Sequence, residues 1–227
     1  MGSPNHTFLR WFRGGLDSAS PAHKPVPVGK TSRRCTALGD FIRSLRPLGI
    51  GNEDEKLRIL DLGPTSPANI AFLTGMGLHV YNEDVLHAAR DPQYRSHNED
   101  GSEGMDLPRF FRENLDYPQG KFDAILAWDV LDYLPEALVG PLVERLAYVL
   151  RSHGALLAFF HTKDAGADLP YHRYRLIQAD TVELDPRQGF RLQRIFQNRH
   201  IENMFKDFAS RKFFLGRDNL REVILVR

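Results

Sequence analysis

An α/β fold built on a mostly parallel, doubly wound sheet is predicted by three features of this 227-residue sequence. Leu57, Ile59, Leu60 and Leu62 form a short apolar run with almost no polar alternation, as expected of a parallel strand covered on both faces. Asp61 and Gly63 close that run, and a helical stripe and a second strand, Leu78–Tyr81, follow before Glu83 and Asp84. In such a sheet ligands bind beyond the carboxyl ends of the strands, so Asp61, Gly63, Glu83 and Asp84 are expected to share one crevice.

The elements are predicted as follows. Residues 14–32 are rich in Gly, Ser and Pro without periodicity and read as a linker or irregular arm. Thr31 or Ser32 is expected to cap a helix through Leu45, with Leu38, Phe41, Ile42 and Leu45 as its apolar stripe. Ser66 or Pro67 starts the helix after the first strand, and Gly75 or Gly77 ends it. Residues 87–105 hold His87, His97, Asn98, Glu99, Asp100 and Glu103 among glycines, but in no metal-ligand spacing, so they read as a solvated loop and no metal is expected. Leu107–Leu115 suits a short helix, and a strand begins at Phe122; no third strand is visible between them. Leu138, Leu142, Val143, Leu146 and Val149 give Pro135–Leu150 a helical stripe that covers the sheet. After a strand ending at His161 and a polar loop, Lys163–Pro170, the segments Tyr171–Leu184 and Gly189–Phe196 suit extra strands or a hairpin around DPRQG. Asn198 caps a helix containing Ile201, Met204, Phe205 and Phe208, and Arg211–Arg227 reads as two strands around GRDNL.

Composition fits one principal domain of mixed class, 42% hydrophobic with a mean hydropathy of −0.39. No run of about 18 apolar residues occurs, the first residues lack the apolar core of a secretory signal, and Cys35 is the sole cysteine. A reducing cytoplasmic location is the expectation. The net charge of +1 hides a partition: residues 1–50 carry 8 basic and 2 acidic side chains, residues 187–227 carry 10 and 4, and the middle carries 12 and 23. The interleaved Arg191, Arg194, Phe196 and Arg199 resemble a nucleic-acid surface, yet aromatics in such a segment are wanted by the core, so nucleic acid is not an expected partner. Residues 8–13 suit either a weak peripheral membrane contact or a disordered or self-docking tail.

Residues 57–84, LRILDLGPTSPANIAFLTGMGLHVYNED, resemble the first motif of class I S-adenosylmethionine-dependent methyltransferases, an acid and glycine turn followed about twenty residues later by a second acid. Asp84 matches that second acid by spacing, with Glu83 beside it. Lys121–Pro135, KFDAILAWDVLDYLP, is similar to the family's fourth-strand motif, Arg151–His161 to its turn and fifth strand, and Arg211–Arg227 to the antiparallel pair that closes its sheet. The resemblance implies a Rossmann-like sheet with a C-terminal antiparallel pair, a methyltransferase-like domain over residues 51–227 and an arm, linker and helix over residues 1–50. The first turn departs from the family pattern, because Thr65 and Pro67 stand where the second and third glycines fall. Proline fixes φ and offers no amide donor, although the cofactor has no pyrophosphate to be cradled.

The resemblance implies methyl transfer from S-adenosylmethionine to an unidentified small-molecule acceptor. It makes Asp61 the residue that orients the methionine end, Gly63 and Pro64 the turn that approaches it, Ser66 and Asn69 polar contacts, and Glu83 or Asp84 the ribose acceptor. Trp128 is then placed to pack on cofactor or acceptor and Asp129 to accept a hydrogen bond; Asp129 and His161 are the candidate bases. Plainer roles compete: Asp129 and Asp132 as helix caps, and His161 as a packed neutral histidine. Two other functions stay open: a catalytically inactive binding or scaffold protein, suggested by Thr65 and Pro67, and a different nucleotide-using enzyme, although G-x-G-x-x-G is lacking.

Overall fold

The computed structural model describes residues 29–46, 56–97, 100–163, 171–216 and 219–227. The expectations for residues 8–13, for most of the 14–32 linker and for nearly all of the 163–170 loop lie outside them. The parallel core comprises β2 (Arg58–Asp61), β3 (His79–Asn82), β6 (Phe122–Trp128) and β7 (Leu150–His161). β11 (Leu220–Val226) adds to β7 antiparallel, and β10 (Ser210–Leu215) adds to β11 antiparallel, giving the order β10, β11, β7, β6, β2, β3. No third parallel strand follows β3, which is the sheet edge among the described residues.

β6 shows why these strands lack polar alternation: all seven of its residues are buried. Ala124, Leu126 and Trp128 face a core shared with α1 (Thr36–Leu45) and α2 (Pro67–Gly75). Ile125 and Ala127 face the opposite core, built with α4 (Leu107–Asn114), α6 (Glu136–Val149) and α7 (Asn198–Met204). Helices on both faces make the sheet doubly wound. Local chemistry sets the start of α2, where Ser66 is the N-cap, its side chain accepts from the Asn69 amide, and Pro67 occupies the first turn.

Three expectations need correction. Thr31 and Ser32 do not cap a helix; they lie in β1 (Thr31–Arg34), which pairs with β9 (Thr181–Arg187). The helix begins after Cys35 because Glu222, from distant β11, accepts the Ala37 amide at 2.8 Å and the Arg33 guanidinium at 2.6 Å. Residues 87–105 are not simply a loop: α3 (Val85–Ala88), a 3-10 turn at Pro92–Tyr94 and the hairpin of β4 (Arg95–His97) and β5 (Glu103–Met105) occupy much of them. Tyr94 anchors this segment, its ring edge-on to Phe110 at 5.2 Å and its hydroxyl bonded to Glu113 and Asn114. The third correction concerns DPRQG. The hairpin turns earlier, between β8 (Tyr171–Gln178) and β9, while Gly189–Phe196 contains no strand. The Asp132 carbonyl instead holds that segment by accepting the Gln193 and Arg194 amides at 2.9 and 3.3 Å.

None of the described helices is long and apolar enough to cross a membrane. The two-faced core makes a quantitative prediction. Leu157 is fully buried in β7 and Leu215 is 79% exposed on β10. Leu157→Ala is expected to lower unfolding free energy by about 2–5 kcal/mol, and Leu215→Ala by less than about 0.5 kcal/mol, measured by denaturant titration.

Candidate functional site

The chain passes from β2 to β3 on one side and later to β6 on the other, so a crevice opens at the carboxyl ends of β2 and β6. Asp61 ends β2, Glu83 and Asp84 follow β3, Trp128 ends β6, and His161 ends β7. The structure thus brings Asp61, Gly63, Ser66, Asn69, Trp128 and Asp129 into one neighbourhood, with Glu83 and Asp84 on its far lip. Pro64 lies half-buried in the turn between Gly63 and Thr65.

The centre of the crevice is a knot around Asp61. Its Oδ1 accepts the Trp128 indole N–H at 2.6 Å and the Gly63 amide at 3.0 Å, and its Oδ2 accepts Asn69 Nδ2 at 3.1 Å. Burial raises the Asp61 pKa, and these three donors work against that shift. Asn69 continues the knot outward: its Nδ2 also donates to the Tyr174 carbonyl at 3.2 Å, and its Oδ1 accepts the Leu176 amide at 2.8 Å. Strand β8 is thereby tied across the crevice. Tyr174 stacks on Trp128 with ring centroids 5.2 Å apart and planes within 2°, and its hydroxyl donates to Asp129 Oδ2 at 2.8 Å.

Trp128 reaches Asp61 through an unusual backbone. Its φ of 49° lies in the left-handed region, at a register shift between β6 and β7. Such a conformation costs about 1–3 kcal/mol in a bulky residue and persists where the surroundings enforce it. The indole fills the space over the turn, since a Cβ built on Gly63 falls 3.1 Å from it. A side chain at 63 would crowd the indole and the Asp61 carboxylate and make them shift by a few tenths of an ångström.

A second polar cluster lies behind Tyr174. Asp132 Oδ2 accepts the His161 amide at 2.6 Å and lies 2.8 Å from His161 Nδ1. An ionised Asp132 favours the tautomer with the proton on Nδ1 and the basic lone pair on Nε2. The Tyr133 ring packs edge-on against His161 at 5.8 Å and against Tyr171 at 5.1 Å. Asp129 Oδ1, Asp132 Oδ1 and the Tyr133 hydroxyl are buried here without a hydrogen-bond partner. Burial pushes the Asp129 carboxyl up to about 7, against the opposing effects of His161 and the Tyr174 hydroxyl.

The predicted residues therefore occupy different roles in this conformation. Asp84 caps α3, accepting the His87 amide at 3.1 Å. Glu83 accepts the Tyr117 hydroxyl at 2.6 Å, and burial raises its pKa. Asp129 makes no helix-capping bond, and Asp132 serves His161 rather than a helix end. Sequence reasoning missed Tyr174, Tyr133, Tyr171 and Tyr117. Tyr174 and Leu176 share one face of YHRYRLIQ and one core, Tyr171 is buried on the other face in the opposite core, and aromatics beside arginines were the available signal.

The Asp129 shift fixes a pH dependence. The folded state holds a proton up to about pH 7 that an unfolded carboxyl, with an ordinary value of 3.8, has already lost. Stability contributed at this position therefore falls as pH rises between those values. Asp129→Asn keeps an acceptor for Tyr174 and removes the ionisation. The variant's melting temperature relative to the parent is expected to be higher at about pH 8 than at about pH 5, by thermal denaturation at both.

No family model and no curated protein matches the chain. Solved structures similar to it include a Burkholderia thailandensis 1,6-didemethyltoxoflavin-N1-methyltransferase with bound 1,6-didemethyltoxoflavin and S-adenosylhomocysteine. The identity is 13%, with 84% of this chain and 76% of that chain covered and a TM-score of 0.44. For a Methanosarcina mazei S-adenosylmethionine-dependent methyltransferase the values are 14%, 76%, 93% and 0.45. For one from Mesorhizobium loti they are 14%, 82%, 96% and 0.43. The fold is read from the chain's own strand order: an α/β, Rossmann-like, mostly parallel doubly wound sheet closed by a C-terminal antiparallel strand pair.

Proposed function

We propose that this chain binds S-adenosylmethionine in the β2–β6 crevice and transfers its methyl group to a small-molecule acceptor, with β8 as a gate that is closed in this conformation. The observation that supports this most is the gathering of Asp61, Glu83, Trp128 and Asp129 at adjoining strand ends. The residue types suit the cofactor: Glu83 is a half-buried acceptor for a ribose diol, and Asp61 stands where the resemblance implies the methionine end. The space does not suit it while the gate is closed, because the indole occupies the room over Gly63 and Asn69 is spent on β8. Binding therefore requires Tyr174 and Trp128 to move.

The cofactor, when bound, supplies a methyl group already activated on a sulfonium, which leaves the protein mainly a positioning task. A base is needed only for an acceptor protonated at working pH. His161, oriented by Asp132, and Asp129, with its carboxyl raised to about 7, are the groups able to take that proton near neutrality.

A second reading, a binding or scaffold protein without catalysis, is favoured by the same Trp128–Tyr174–Asn69 packing if it never opens. Calorimetric titration with S-adenosylhomocysteine separates the two. The gated reading predicts binding by the parent and, after Tyr174→Ala removes one hydrogen bond and a stacked ring from the closed state, affinity tighter by about fivefold or more. Glu83→Ala is expected to weaken binding by about 1.5–3 kcal/mol if Glu83 holds the ribose. Absence of heat at millimolar ligand from both parent and Tyr174→Ala rejects the cofactor and leaves the scaffold.

A further inference from the structure

A cavity of about 260 Å³ lies between α3 and the residues just after it, the Tyr133–Pro135 stretch and the Gly189–Gln193 segment. Its walls include the buried Leu86, Tyr133 and Leu134 together with Phe190, while Arg90 and Arg191 stand exposed on its rim. The segment that forms one wall is fixed in place: Gln193 donates its amide to the Asp132 carbonyl at 2.9 Å, and Arg90 donates to the Gly189 carbonyl. Phe190 packs edge-on against Tyr171 at 4.9 Å, with the Arg90 guanidinium 5.0 Å from its ring centre.

The charge of this cavity is one-sided. Among the described residues no carboxylate lines it. Of the carboxylates nearby in the chain, Asp91 accepts the Gln93 amide and side chain, and the exposed Glu136 lies 3.7 Å from Arg194. Arg191 takes part in no ion pair among the described residues, and Arg90 is bonded only to a carbonyl and stacked near an aromatic ring. Two guanidinium groups thus stand over an apolar, aromatic floor, and neither forms an ion pair among the described residues. Guanidinium recognises carboxylate and phosphate through paired N–H donors, and an aromatic floor takes a flat apolar body. The same layout explains the arginine–aromatic interleave of residues 191–199. Phe196 is buried and Arg194 lies 3.7 Å from Glu136, so Arg191 is the guanidinium that this segment presents to the cavity.

We infer that this cavity is a binding site for a small organic anion with a flat apolar body, an aryl carboxylate or aryl phosphate, held by Arg191 and Arg90 with its ring on Tyr133, Leu134 and Phe190. The site is proposed on the cavity's own chemistry and does not rest on the methyl-transfer reading above.

The test uses no cofactor, so it fails or succeeds independently of methyl transfer. Full-length protein labelled with nitrogen-15 is titrated with benzoate, phenyl phosphate, benzamide and benzylammonium. The backbone amide signals of Ala89, Phe190 and Arg191 report the cavity. Benzoate, phenyl phosphate or both are expected to shift these signals saturably, with benzamide at least tenfold weaker and benzylammonium without effect. Which anion binds more tightly distinguishes carboxylate from phosphate. Arg191→Gln is expected to weaken binding at least fivefold and Arg191→Lys to restore part of it, while Arg112→Gln, an exposed charge on α4, leaves it unchanged. Benzamide binding as tightly as benzoate, no movement of these signals at 10 mM of either anion, or equal losses in Arg112→Gln and Arg191→Gln would overturn the assignment.

Discussion

A carboxylate buried at the end of a central strand is the constraint on which the crevice depends. Asp61 stands 2% exposed, and burial of a charge without donors costs several kcal/mol. Three separate pieces of chain therefore converge on it: the Gly63 amide from the turn, Asn69 from α2 and the Trp128 indole from β6. Each donor then fixes something else. The indole crosses over the turn, which crowds any side chain at position 63, and Trp128 sits in a strained backbone. Asn69 has a carbonyl left over, and it accepts the Leu176 amide and so binds β8. The stack of Tyr174 on Trp128 completes a layer in which strand ends, helix start and hairpin are one hydrogen-bonded unit.

Much of this architecture was legible in the sequence because it rests on local patterning. The apolar run of β6, the Ser66–Pro67 start of α2 and the stripe of α6 each carry their own signal, and the structure follows them closely. Two of the failures share a cause: the deciding partner is distant in sequence. Nothing near Thr31 shows that Glu222 takes the Ala37 amide and moves the helix start to Thr36. Nothing near DPRQG shows that the Asp132 carbonyl pins Gln193 and prevents a second hairpin there.

The candidate site was legible as a set of positions, less so as a set of bonds. Asp61, Trp128 and Asp129 do lie at adjoining strand ends, where strand order places them, and α2 brings Asn69 onto Asp61. Asn69, Trp128 and Asp129 find further partners on β8, and a strand of tyrosines and arginines gives no local sign of which sheet it crosses. Thr65 and Pro67 acquire a physical context as well. A turn lined by an indole rather than by an open ligand space has less need of further glycines, so the departure from the three-glycine pattern and the packing of Trp128 are consistent features of one closed crevice.

The account turns on β8 being bound to the crevice in the free protein and released from it when the crevice is filled. Amide hydrogen exchange at Leu176, whose N–H is held by the Asn69 side chain, reads this directly. The prediction is slow exchange in the free protein and clearly faster exchange in the presence of saturating S-adenosylhomocysteine, with the β6 amides protected in both. Fast exchange at Leu176 in the free protein, or ligand binding that leaves its protection intact, would contradict the account.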